Sequence, residues 1–154
     1  MKKVNTINFK KTLSKFSTGI TVVCVKNNNS IYGKTVNSFN SLSLNPPMVL
    51  FSLGNYSSSI KQFSKTNFLS INILSSKQKK LSDNFASTTP KLENIKFIEG
   101  KYKTAIIPNC IANLECKLID KIKKGDHIIF ICKILELQSN DKLKPLVYFN
   151  SKYF

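Results

Sequence analysis

Apolar positions along the chain fall into short runs, each with its own period. Residues 5–17 (NTINFKKTLSKFS) carry Ile7, Phe9, Leu13 and Phe16 near helical spacing, which predicts a short amphipathic helix stopped at Thr18-Gly19. ITVVCVK (20–26) is β-branched and predicts a strand, NNNS (27–30) a turn, and Tyr32 to Phe39 a returning strand. Pro46 and Pro47 cannot sit in a central strand ladder, so they mark a bend before MVLFSL (48–53), a buried strand. SSSIKQFSK (57–65) opens on serines suited to a cap and predicts a short helix. FLSINIL (68–74) predicts a strand. KQKKLSDNFAS (77–87) predicts a lysine-rich amphipathic helix with Leu81 and Phe85 on one face. Residues 88–109 read as loop with one short strand. IANLECKLIDKI (111–122) alternates, Lys124-Gly125-Asp126 turns the chain, HIIFICKILELQ (127–138) is a long strand, and PLVYFN (145–150) a last short one.

The helices are inserted among the strands and do not alternate with them, which argues against a doubly wound parallel sheet. The expected fold is mainly β, an antiparallel β-barrel with a few short appended α-helices. A chain of 154 residues is long enough for one domain with a real core and too short for two ordinary ones, so residues 1–154 read as a single domain. No apolar run approaches the roughly 20 residues that span a bilayer. The lysines near the start are followed by no continuous apolar segment, unlike a secretory signal. The expectation is a cytoplasmic protein with no membrane partner.

Charge changes this picture little. The net charge of +16 comes from 24 basic against 8 acidic residues, and every basic residue is lysine. Such a balance raises nucleic acid as a partner. Base readout and fork-like phosphate clamps use arginine, however, and the lysines accompany a general richness in Asn, Ile and Ser. The preferred reading is a solvated lysine surface with no nucleic acid partner, whose positive field favours anionic small ligands. The cysteines, at 24, 110, 116 and 132, form no CxxC pair, and His127 is the only histidine, so metal-ligand spacing is absent. Cys24 and Cys132 lie in apolar strand-like runs and read as small buried hydrophobes.

The candidate chemistry concentrates in GKTVNSFNSLSLNPPMVLFSL (33–53), where small hydroxyls and amides precede a buried strand and Lys34 is the only charge. A Ser-His-Asp arrangement would need His127 as base, but Asp126 is its immediate neighbour and would point to the other face of a strand, and no GxSxG elbow occurs. No GxGxxG and no GxxxxGK[ST] is present. What remains is Thr35, Asn37, Ser38, Ser41, Ser43 and Ser52, then Ser57, Ser58 and Ser59 at a predicted helix start. Two readings are open at this point. Donors and acceptors at one strand edge suit a flat heteroaromatic ring, with a phosphate at the serines. Equally, a Ser- and Asn-rich loop can merely cap and turn.

The chain closely resembles the flavin reductase-like family, the small reductase components of two-component flavin monooxygenases. The resemblance is carried by FSTGITVVCV (16–25), the run 33–53 with its G-x-T-x-N-S-F-x-S-x-S-x-x-P-P signature, SSSIKQF (57–63), NFLSINIL (67–74), QKKLSDNFA (78–86), IANLEC (111–116), GDHIIF (125–130) and PLVYFNSKY (145–153). It implies an FMN-binding split β-barrel that holds flavin at a homodimer interface. It also implies hydride transfer from NADH or NADPH to FMN or FAD, with reduced flavin often passed to a partner monooxygenase. By the same resemblance Thr35, Val36, Asn37 and Ser38 line the isoalloxazine ring, with Val36 where the family usually has alanine. Ser52 and Leu53 flank the ring and ribityl chain, Ser57 and Ser59 reach the phosphate, and Phe85-Ala86 close the site. His127 matches the family's G-D-H near the nicotinamide, and Tyr148 sits where the family's tail approaches the dinucleotide. A flavin-binding carrier or sensor without turnover is the alternative on the same barrel.

Overall fold

The computed structural model describes Met1 and residues 3–154. Helix α1 (Thr6–Leu13) leads into β1 (Thr18–Gly19), β2 (Thr21–Asn27), β3 (Ser30–Val36), β4 (Asn40–Leu44) and β5 (Pro47–Gly54). Then come α2 (Ile60–Lys65), β6 (Phe68–Ile73), a 3-10 turn at Ser76–Gln78 and α3 (Lys79–Ala86). Two short strands, β7 (Ile98–Glu99) and β8 (Ala105–Ile106), precede the long hairpin of β9 (Ala112–Lys124) and β10 (His127–Ser139). β11 (Val147–Phe149) and β12 (Lys152–Tyr153) close the chain. No helix among the described residues is long and apolar enough to cross a membrane.

Seven strands form one antiparallel sheet in the order β3-β2-β6-β9-β10-β5-β4. The sheet coils far enough that β3, one end strand, comes to lie against β5, the strand next to the other end. The expected mainly β, antiparallel architecture with short appended helices is present, and among the described residues no strand ladder joins β3 to β5. The inside of the coiled sheet is packed by alternate residues of each strand: Val23 and Val25 of β2, Leu69 and Ile71 of β6, Val49 and Phe51 of β5, Phe130 and Cys132 of β10. Phe63 of α2 plugs this interior, edge-on to the stacked rings of Phe51 and Phe130, whose centroids are 5.1 Å apart.

A second apolar cluster covers the other face of β2, where Val22 and Cys24 meet Leu74, Phe85, Ile107 and Leu146. This explains why β2 is apolar at successive positions and not at every second one. The segment 105–107 is tied to the sheet by a buried amide network. Asn72 Nδ2 donates to Val22 O (3.0 Å), and Asn72 Oδ1 accepts from Ile107 N–H (2.9 Å) and Asn113 Nδ2 (2.8 Å). All four cysteines are buried free thiols. Burial pushes Cys110 up to about 11 and Cys132 up to about 12, and raises Cys24 and Cys116 further.

Two expectations meet a different outcome. Residues 32–39 do not form one strand: the returning strand ends at Val36, and a separate strand, β4, follows at Asn40–Leu44. Asn45-Pro46 is the turn of the β4–β5 hairpin, and Pro47 is the first residue of β5, where a missing N–H costs no interior ladder bond. Helix α1 forms as predicted, yet none of its residues is buried, and Ile7, Phe9, Leu13 and Phe16 are exposed. Only its end is held, by Asn150 N–H donating to Ser14 O (2.7 Å) and Lys15 Nζ donating to Asn150 Oδ1 (3.0 Å).

Candidate functional site

Where β3 meets β5, β4 has already ended, because β4 pairs with β5 only as far as Leu50. The edge of β5 beyond that point needs partners for Ser52 N–H and C=O. Ser38 supplies both. Its Oγ accepts from Ser52 N–H (3.0 Å) and donates to Ser52 O (3.1 Å), so one hydroxyl stands in for a missing ladder residue. On the other side, Thr35 Oγ1 donates to Ser82 O (2.7 Å) and fixes α3 against β3. Thr21 Oγ1 donates to Val36 O (3.2 Å). Gly33 lets α3 come close, since a Cβ there would stand 2.5 Å from the Phe85 ring. Several hydroxyls of the 33–53 run are thus spent on building the seam.

The seam opens as a cleft of about 340 Å³, within the range of small-molecule sites. Of the residues predicted from sequence, Thr35, Val36, Asn37, Ser38, Ser52, Leu53, Ser57, Ala86 and His127 line it. Val36 and Leu53 are almost fully buried core residues. Asn37 is exposed, and its side chain makes no hydrogen bond to any described residue. Ser57 lines the cleft, and its Oγ is buried with no hydrogen-bond partner among the described residues.

Ser41 and Ser43 fall in β4, outside the cleft, and three residues that the resemblance placed at the site also lie elsewhere. Ser59 is buried at the start of α2. Phe85 is fully buried in the second apolar cluster beneath Gly33, supporting the cleft wall from behind. Tyr148 packs against Tyr153 on the β11–β12 hairpin, with ring centroids 5.2 Å apart. Ser58, among the serines offered for a phosphate, also lines the cleft, while sequence reasoning missed Lys34, Gly54, Tyr56 and Thr88 as lining residues. The exposed ring of Tyr56 lies over Gly54, where a Cβ would come within 2.9 Å of it. Residues 87–88 form the facing wall: Lys34 Nζ donates to Ser87 O (2.6 Å) and Ser58 Oγ to Thr88 O (2.9 Å). Burial lowers the Lys34 ammonium from its ordinary range.

His127 pairs with Gly54 across β10 and β5 and brings its half-exposed ring to the rim. Its Nδ1 is 2.7 Å from Asp126 Oδ1, and the histidine holds the Asp126 carboxyl below the usual range. The sequence reading placed Asp126 on the opposite face. It lies in the turn before β10, beside Gly125 with φ +57°, where strand alternation does not apply, so the carboxylate reaches back. With Nδ1 engaged by an acceptor, Nε2 is the ring nitrogen left for a ligand.

A second cleft of similar volume borders β7, β9 and β10 and contains Glu115. That carboxylate is already satisfied by Lys101 N–H (2.9 Å), Tyr102 N–H (2.9 Å) and Thr104 Oγ1 (2.7 Å), as befits a group that holds a loop. No group of three or more His, Cys, Asp or Glu among the described residues is placed to hold a metal. Among the described residues the β3–β5 seam combines free donors, an unpaired buried hydroxyl and a cation, which suits a flat polar ring carrying an anionic tail.

The profile of the flavin reductase like domain matches residues 13–154. The chain is 33% identical over 137 residues to FMN reductase (NADH) SmoA of Agrobacterium fabrum, covering 89% of this chain and 79% of that protein. It is 32% identical over 145 residues to the reductase component of 4-hydroxyphenylacetate 3-monooxygenase of Thermus thermophilus, covering 94% and 93%. Among solved structures, flavin reductase PheA2 superposes with a TM-score of 0.92 at 32% identity, covering 98% of this chain and 97% of that one. The match over residues 13–154 and these likenesses in sequence and fold show that the chain belongs to the flavin reductase like domain family.

Proposed function

We propose that this chain is an NAD(P)H-dependent flavin reductase, transferring hydride from NADH or NADPH to FMN or FAD and supplying reduced flavin to a partner flavin-dependent monooxygenase. The observation that carries this reading is the β3–β5 seam, where Asn37, Ser57 and Lys34 offer unsatisfied or lightly used donors around a cleft of ring size. The relatives named above support it, one being an NADH-dependent FMN reductase and another a monooxygenase component. A bound flavin supplies the hydride-accepting ring. The chain's own residues bind and orient. Ser38 and Thr35 hold the seam in shape, Asn37 and the backbone beside it meet the ring's polar edge, and Ser57 meets the tail. Backbone and side-chain donors along that edge stabilise negative charge developing on the ring. His127 presents Nε2 at the rim, where the nicotinamide enters.

The working unit in this reading is a homodimer. Outward-facing Met48, Leu50, Ile129 and Ile131 sit in register across β5 and β10 on the same face as Ser52, Gly54 and His127. Leu44 at the adjoining edge is 93% exposed. An apolar face continuous with the cleft suits a second copy covering the flavin. The test is NADH consumption that saturates with added FMN or FAD, run beside sedimentation of the protein at the same concentration. Flavin binding without NADH or NADPH turnover would instead leave a carrier or sensor.

A further inference from the structure

The one charge in the 33–53 run, Lys34, has only a neutral hydrogen-bond partner among the described residues. Lys34 projects from β3 into the cleft wall, and His127 aside it is the only lining side chain able to carry charge. Its ammonium is partly buried and donates to a neutral acceptor, Ser87 O, at 2.6 Å. The ion pairs among the described residues are Lys26–Glu99, Lys101–Glu136 and His127–Asp126, so no carboxylate neutralises Lys34. An ammonium has three donors, and one is used here. The next carbonyl along, Thr88 O, is taken by Ser58 Oγ at 2.9 Å, which brings the 57–58 dipeptide to the same wall as Lys34. There the buried Ser57 Oγ has no acceptor. A cation without a counter-charge and a buried hydroxyl without an acceptor both call for an anionic oxygen. Burial that lowers the lysine's proton affinity makes the same demand, since a bound anion would restore it.

We propose that Lys34, acting with Ser57, is the counter-charge for the phosphate of the flavin, and that it makes this site select phosphorylated flavin over riboflavin. The inference rests on the reductase reading above and adds a specificity-determining residue to it. Riboflavin has the same ring and ribityl chain but no phosphate, so the comparison isolates the group that Lys34 recognises. The pyrophosphate of the nicotinamide nucleotide carries the same chemistry, and the assay separates the two sources.

The experiment titrates wild type, Lys34→Met, Lys34→Arg and Ser57→Ala with FMN and with riboflavin, and measures the KM for NADH of each. Wild type is expected to bind FMN at least about tenfold tighter than riboflavin, as a charge-assisted contact implies. Lys34→Met should lose about tenfold or more for FMN and stay within about twofold for riboflavin. Lys34→Arg, which keeps the charge, should retain most of the preference, and Ser57→Ala should lose part of it. An equal loss for both flavins would make Lys34 a structural residue and overturn the proposal. So would unchanged FMN affinity with a raised KM for NADH, which would assign the lysine to the dinucleotide. If riboflavin and FMN bind wild type equally, the selectivity claim fails while the reductase reading stands. If neither binds, both fall.

Discussion

Replacing Gly33 with alanine tests how the cleft wall is held. The added Cβ would stand 2.5 Å from Phe85 Cε1 and 2.7 Å from Cδ1, where ordinary contact begins at 3.4 Å. The Phe85 ring cannot swing aside, because it is fully buried among Val22, Cys24, Leu74 and their neighbours. The overlap must be relieved by moving α3 outward, and with it Ala86 and the 87–88 wall that receives Lys34 and Ser58. Overpacking of this kind costs about 1–3 kcal/mol. For a chain of this length each kcal/mol moves Tm by about 2–4 °C, so the expected fall is about 2–12 °C. Flavin affinity should drop in parallel. The assay is thermal unfolding followed by circular dichroism, with FMN titration of the same samples. Phe85→Leu in the Gly33→Ala background should recover part of both losses, giving a coupling of about 1 kcal/mol between the two positions. Unchanged Tm and affinity in Gly33→Ala, or strictly additive effects in the double variant, would refute the reasoning.

Ser38→Ala should cost about 1–3 kcal/mol in urea unfolding, because it strands both the N–H and the C=O of Ser52, and it should weaken FMN binding more than a remote surface serine does. His127→Ala should raise the KM for NADH about tenfold while leaving the FMN dissociation constant within about twofold, so a change in flavin affinity alone would move His127 to the flavin side. The four buried thiols should resist alkylation in the native protein at mildly alkaline pH and all react in urea, because their raised pKa values leave almost no thiolate. Rapid labelling of any one of them in the folded state would show that the core opens there.

The main strands were legible in their apolar content, from TVVCV of β2, buried at successive positions, to the alternation along β10. β4 carries the same alternation in NSLSL, but Leu42 and Leu44 stay exposed, so its apolar positions mark an outer surface and not the core. Strand β1 exists only through a partner distant in sequence, β11, whereas β7–β8 and β11–β12 are local hairpins whose strands are too short to show a period. The cleft's location was legible in the concentration of hydroxyls and amides. Their division of labour was not, since only packing decides that Thr35 and Ser38 bond inward while Ser57 Oγ is left without a partner. Phe85 shows two sequence signals in conflict: the resemblance put it at the site, whereas its place beside Leu81 on an apolar helix face fits the buried position it takes.

Anaerobic stopped-flow mixing of the purified protein and flavin with reduced nicotinamide, following the absorbance of oxidised flavin, tests the central claim most directly. The account predicts rapid bleaching that saturates with NADH or NADPH, and the comparison of FMN with FAD and of the two nucleotides gives both preferences. Tight flavin binding with no bleaching by either nucleotide would contradict it, leaving a flavin-binding module and removing the nicotinamide role assigned to His127.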